Sequence, residues 1–166
     1  SMRKAAVIMG SNSDLPVMKK TFAQLKEFGI PYEAHIYSAH RTPEEVSSFA
    51  ENAYENGFGV IIAGAGMSAA LAGVIAAHTT LPVIGVPLKS ESLDGMDALL
   101  ATAMMPGGVP VASVAINGSR NAAYLAARIL ALTDEDLMRR IQEDKEKQRQ
   151  NVLSHDAKLQ ELTEEM

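Results

Sequence analysis

The 166-residue chain contains no cysteine and no tryptophan. Without thiols it has no disulfide framework, no thiolate metal site and no cysteine nucleophile. That lack fits a reducing compartment. Aromatic residues make up only 5% of the chain, which argues against a pocket that stacks a flavin. No apolar run reaches the roughly 20 residues needed to cross a bilayer. The N-terminus lacks the basic region, apolar run and cleavage site of a secretory signal, and Ser1-Met2 reads as a tag remnant. An excess of positive charge is missing too. Fifteen Lys and Arg face 20 Asp and Glu, a net charge of −5 with His neutral. Such a balance disfavours nucleic acid as a partner. It leaves room for a small anion in a locally positive pocket. The expectation is a cytoplasmic protein with no nucleic-acid or membrane partner.

What is present is a regular alternation. Short apolar runs at Ala5 to Met9, Val60 to Ala63, Val83 to Val86 and Val111 to Ile116 read as buried strands. Tyr32 to Tyr37 is a weaker, alternating strand. Helical patterns fall at about 15–29, 43–56, 67–78, 94–104 and 121–132. Five strands, each followed by a helix, imply an α/β fold with a mostly parallel sheet covered on both faces. The expected division is one α/β domain over 2–132 and a helical tail over 133–166. The tail is rich in charge, with a narrow apolar stripe at Leu137, Met138 and Ile141. It reads either as a solvated helix that frays or as an arm packing on a neighbouring subunit. Thr42-Pro43-Glu44-Glu45 reads as a helix start, with Thr42 as N-cap and Glu45 in a capping box.

In a parallel sheet the loops after the strands share one edge, and ligands bind there at a topological switch point. The first loop, Gly10-Ser11-Asn12-Ser13-Asp14, is small and rich in hydroxyls. It either holds an anion or caps the next helix through Ser13 or Asp14. The second, Ser38-Ala39-His40-Arg41-Thr42-Pro43, sets a proton-exchanging imidazole beside a guanidinium suited to phosphate or carboxylate. The third, Gly64-Ala65-Gly66-Met67-Ser68-Ala69, lets backbone approach a ligand. It fits G-x-G-x-x-A but follows the third strand instead of opening the first unit, so a tight turn explains it equally well. The fourth is Pro87-Leu88-Lys89-Ser90-Glu91-Ser92. Met105-Pro106-Gly107-Gly108-Val109-Pro110 marks an ordered turn. His35 within a strand pattern, His78 at a helix end and His155 in the tail read as structural or surface residues. No His or carboxylate spacing suggests a metal site.

Taken in order, these loops and the run Pro82-Val83-Ile84-Gly85-Val86-Pro87 resemble the PurE family over residues 4–132. The resemblance implies a three-layer α/β/α, flavodoxin-like fold assembled as a homo-octamer. It implies a mutase of purine biosynthesis that converts N5-carboxyaminoimidazole ribonucleotide to 4-carboxy-5-aminoimidazole ribonucleotide, without metal or nucleotide cofactor. His40 matches the family's catalytic acid/base. Ser11, Asp14 and Arg41 match substrate-binding positions, with Arg41 on the 5-phosphate and Asp14 on ribose hydroxyls. Ser13, Ser38, Ala39, Gly64, Ala65 and Gly66 would shape the pocket. One stretch departs from the pattern. Where common mutases read Gly-Gly-Ala-Ala-His-Leu-Pro-Gly, this chain has Gly66 to Gly73 with Ala70 at the His position and Ala72 at the Pro. The related class that carboxylates aminoimidazole ribonucleotide directly also lacks that His. The segment Asn117 to Asn121 is shorter than in common mutases as well, whereas Arg41-Thr42-Pro43 and Met105 to Pro110 are mutase-like. The mutase is the favoured reading. The alternatives are the direct carboxylase, a mononucleotide-binding module without chemistry, and an oxidoreductase built on the Gly-Ala-Gly loop.

Overall fold

The computed structural model describes residues 2–91 and 93–166; Ser1, read as part of a tag remnant, and Ser92 of the fourth loop lie outside them. Five strands, β1 (Lys4–Met9), β2 (Tyr32–Ile36), β3 (Phe58–Ala65), β4 (Val83–Pro87) and β5 (Ala112–Ser113), pair in the order β2-β1-β3-β4-β5. Every pairing is parallel. Helices α1 (Leu15–Glu27), α2 (Pro43–Asn52), α3 (Leu71–Ala77), α4 (Met96–Ala103) and α5 (Ser119–Ala131) follow the strands in turn, and α6 (Glu135–Glu165) ends the chain. This is the flavodoxin-like order, with its switch point between β1 and β3.

The period of two along each central strand explains why both faces are filled. Ala5, Val7, Met9, Val60, Ile62, Ile84 and Val86 point to one side, against α1, α5 and the start of α6. Ala6, Ile8, Ile61, Ala63 and Val83 point to the other, against α2 and α3. Strands buried on both faces read as unbroken apolar runs. β2 is an edge strand whose residues are mostly exposed, which accounts for its weaker signal.

Three local expectations are corrected. The fifth strand is two residues long, not six. Pro110 cannot donate to a ladder. After Ser113 the chain turns away, with Asn117 at φ 57° and its backbone N–H donating to the Pro87 carbonyl at 2.8 Å. The helix after β3 starts at Leu71, because the small-residue stretch before it forms a turn in which the Ala70 N–H donates to the Ser68 carbonyl at 2.7 Å. Thr42 precedes α2 but its side chain does not cap it, and Glu45 forms no capping box. Its hydroxyl is engaged in the preceding loop.

The tail is one continuous helix. Asp134 caps it by accepting from the Leu137 N–H at 2.8 Å. Leu137 and Ile141 are buried in the core of the same chain. Beyond them Val152, Leu153, Leu159 and Leu162 lie exposed.

Candidate functional site at the switch point

The loops after β1, β2, β3 and β4 enclose a cleft of about 790 Å³ over the carboxyl edge of the sheet. The β1 loop is a short 3-10 turn at Asn12–Asp14 held by a capping box that begins at Ser11. The Ser13 N–H donates to Ser11 Oγ at 3.3 Å, and the Ser11 N–H donates to Asp14 Oδ2 at 3.1 Å. Ser11 and Asp14 thus cap this turn between them; Asp14 also holds the expected N-cap position of α1, but its side chain makes no capping bond to that helix. Ser11 and Ser13 hydroxyls lie 3.0 Å apart. Burial pushes the Asp14 carboxyl above its ordinary range, while hydrogen bonds from the Ser11 and Gly10 backbone pull it back.

The β2 loop is a knot tied by Ser38 and Thr42. The Thr42 N–H donates to the Ser38 carbonyl at 2.8 Å and the Ser38 N–H donates to Thr42 Oγ1 at 2.8 Å. That hydroxyl donates in turn to the Ser38 carbonyl at 3.1 Å, and the Arg41 N–H donates to Ser38 Oγ at 3.1 Å. Four bonds thus brace a five-residue segment on which His40 and Arg41 stand exposed at the cleft. This explains Thr42 better than a helix cap does.

The β3 loop brings Ala65, Gly66, Met67, Ser68 and Ala70 to the cleft. Ser68 sits at φ 51°, a left-handed conformation uncommon for a residue with a Cβ. Such strain persists only where the surroundings hold it. Ala70, at the position where common mutases carry a His, offers the cleft only a methyl group.

Of the residues expected at the site, Ser11, Ser13, Asp14, Ser38, Ala39, His40, Arg41, Ala65 and Gly66 line this one cleft. Gly64 does not. It lies within β3, and a Cβ there would come 2.7 Å from Met18 Sδ. Its smallness serves packing against α1. The expectation missed Lys89, Ser90 and Glu91 from the β4 loop, along with Met67, Ser68 and Ala70. Their place after β3 and β4 on the shared edge was the available signal. Among the described residues, no group of three or more His, Cys, Asp or Glu could hold a metal ion. A smaller groove of about 520 Å³ lies between α5 and α6, away from this edge, and is lined by Arg120, Tyr124, Arg128 and Asp144.

Fold and cleft together define a doubly wound α/β protein whose largest loop-lined cleft on this edge lies over the β1–β3 switch point, the place where folds of this order bind ligands, with an imidazole and a guanidinium among its lining. The family is more specific. A family model described as AIR carboxylase matches residues 4–151, and the chain belongs to that family. The N5-carboxyaminoimidazole ribonucleotide mutase of Thermotoga maritima is 50% identical over 161 residues, covering 97% of this chain and 94% of the relative. The Bacillus subtilis protein of the same name is 52% identical, with 92% and 96% covered. The chloroplastic phosphoribosylaminoimidazole carboxylase of Vigna aconitifolia is 49% identical over 92% of this chain, which spans 28% of that longer protein. The crystal structure of Treponema denticola PurE superposes with a TM-score of 0.85 at 35% identity, covering 93% of this chain and 97% of that one.

Proposed function

We propose that this chain is an N5-carboxyaminoimidazole ribonucleotide mutase of purine biosynthesis. The observation that carries the reading is the convergence of His40, Arg41 and the hydroxyl-rich β1 loop on one cleft at the switch point. Relatives of nearly equal length that bear this name support it.

The reaction needs few groups. The carbamate N–C bond breaks, CO2 is released into the cleft, and the departing nitrogen takes a proton. The ring carbon C4 then attacks the CO2 carbon, and the proton on C4 leaves. His40 delivers the first proton and removes the second, so the enzyme ends as it began. A captive CO2 requires walls that exclude water, which Ala39, Ala65 and Gly66 provide without offering a competing nucleophile. Arg41 grips the 5-phosphate in a charge-assisted pair. Ser11 and Ser13 supply hydroxyl donors beside it. Asp14 meets ribose hydroxyls, since a carboxylate repels phosphate.

Direct carboxylation of aminoimidazole ribonucleotide is the second reading. Ala70 in the wall and the name of the plant relative favour it. Product formation from each substrate separates the two. Turnover from the N5-carboxylated ribonucleotide at low bicarbonate is expected; turnover only from aminoimidazole ribonucleotide with CO2 would make the chain the carboxylase. His40→Asn is expected to keep ligand binding and lose roughly 10²–10⁴ in turnover, the scale of a lost acid/base. Near-normal turnover of that variant would remove His40 from the chemistry.

The working form proposed is a cytoplasmic homo-octamer, with 2–132 as the catalytic domain and 133–166 as a tail packing on a neighbouring subunit. The exposed apolar residues Val152, Leu153, Leu159 and Leu162 support this role for the tail.

A further inference from the structure

Among the described residues lining the cleft, two carry fixed positive charge, Arg41 and Lys89. They stand on opposite sides of it. Arg41 follows β2 and Lys89 follows β4, with β1 and β3 between them. Three strand spacings put these two loops on the order of 14 Å apart at the level of the sheet. That separation suits a ligand with an anionic group at each end.

The Lys89 backbone is pinned while its side chain is left available. Its N–H donates to Asn117 Oδ1 at 2.9 Å, and the preceding Leu88 N–H donates to the Ala65 carbonyl at 3.0 Å. The ammonium makes no hydrogen bond among the described residues. Its nearest carboxylate oxygen, on Asp94, is 3.7 Å away. An ammonium has three donors. The contact to Asp94 is longer than a hydrogen bond and leaves them available. Glu91 lines the same end of the cleft, so an anion arriving there needs a cation to offset that carboxylate. The phosphate is accounted for on the other side, by Arg41 and the hydroxyls of the β1 loop. The carboxylate of the substrate is the anionic group still without a partner.

We propose that Lys89 is the specificity-determining residue for that carboxylate, distinguishing carboxylated from uncarboxylated aminoimidazole ribonucleotide. The inference rests on the functional reading above. It extends it by assigning the two ends of the ligand to the two ends of the cleft.

The test compares two ligands that differ only in the carboxylate. Calorimetry measures binding of 4-carboxy-5-aminoimidazole ribonucleotide and of 5-aminoimidazole ribonucleotide to the full chain, to Lys89→Met and to Lys89→Arg. Lys89→Met is expected to weaken the carboxylated ligand about tenfold, the scale of one charge-assisted hydrogen bond. The uncarboxylated ligand should bind as before, and Lys89→Arg should restore the preference. Equal weakening of both ligands would assign Lys89 to the phosphate and overturn the proposal, as would no change in either. The readout does not need turnover. A chain that turns over neither substrate but loses its carboxylate preference with Lys89→Met would refute the mutase and keep the role of Lys89. A working mutase indifferent to Lys89→Met would do the reverse.

Discussion

Two glycines in neighbouring strands give a quantitative test of how the sheet is packed. Gly64 in β3 and Gly85 in β4 are both buried, and neither has a left-handed φ. Alanine is therefore compatible with either backbone, and Gly→Ala alone would stabilise by about 0.4–1 kcal/mol through the unfolded state. What differs is the neighbour. At Gly64 the added methyl meets the thioether of Met18, 2.7 Å from Sδ and 3.1 Å from Cε. Met is unbranched and adapts to irregular space. At Gly85 the methyl overlaps Thr102 Cγ2 outright and also comes 3.0 Å from Val111 Cγ1 and 3.3 Å from Ala72 Cβ. Thr and Val are stiff at χ1, and α3, α4 and the chain before β5 would all have to yield. Overpacking of this kind costs about 1–3 kcal/mol. The expected net effect is near zero for Gly64→Ala and a loss of about 1–2 kcal/mol for Gly85→Ala. For a chain of this length that loss lowers Tm by about 2–8 °C. Far-UV circular dichroism melts at one fixed protein concentration provide the assay, because any self-association would make Tm concentration-dependent. Equal losses for the two variants would refute the argument that side-chain adaptability, and not the presence of a Cβ, sets the cost.

Other expectations follow from the same structure. Leu137→Ala removes a fully buried side chain that ties α6 to the core, and should cost about 2–5 kcal/mol in denaturant unfolding while leaving substrate KM unchanged. Asp14 has a folded-state pKa raised by burial, so its contribution to stability is fully present below the unfolded value and is lost as pH rises through the folded one. Asp14→Asn should therefore unfold at higher denaturant than the parent at neutral pH, with the advantage shrinking as pH falls through the raised folded-state pKa and gone below about pH 4, the ordinary Asp value; an advantage independent of pH would dissociate it from this carboxyl. The same variant should raise substrate KM if the carboxylate meets the ribose.

The β-α alternation was legible because each central strand is buried on both sides, which leaves unbroken runs such as Ala5 to Met9 and Val83 to Val86. The parallel sheet follows from that alternation, and the shared loop edge follows from the sheet. This is why residues as distant in the chain as Ser11, His40 and Gly66 could be expected at one place. The edges were less legible. β2 is mostly exposed, and the fifth strand shrinks to Ala112 and Ser113 because Pro110 and the turn at Asn117 take their neighbours out of the ladder.

The sequence by itself determined the order of the elements, the side of the sheet that carries the polar loops, and the motifs that resemble one enzyme family. These are properties of local pattern, since burial on two faces, turn chemistry and motif spacing are all written along the chain. Only the tertiary structure decided which side chains are tied up and which are available. Thr42 looks like a helix cap in sequence and proves to be a brace for the His40 loop, because Ser38 lies within reach of its hydroxyl. Gly64 looks like a pocket glycine and proves to make room for Met18, from a helix in another layer. Lys89 looks like one surface lysine among many until the sheet order sets it opposite Arg41. Such assignments depend on distances between residues far apart in the chain, and those distances exist only once the layers have packed.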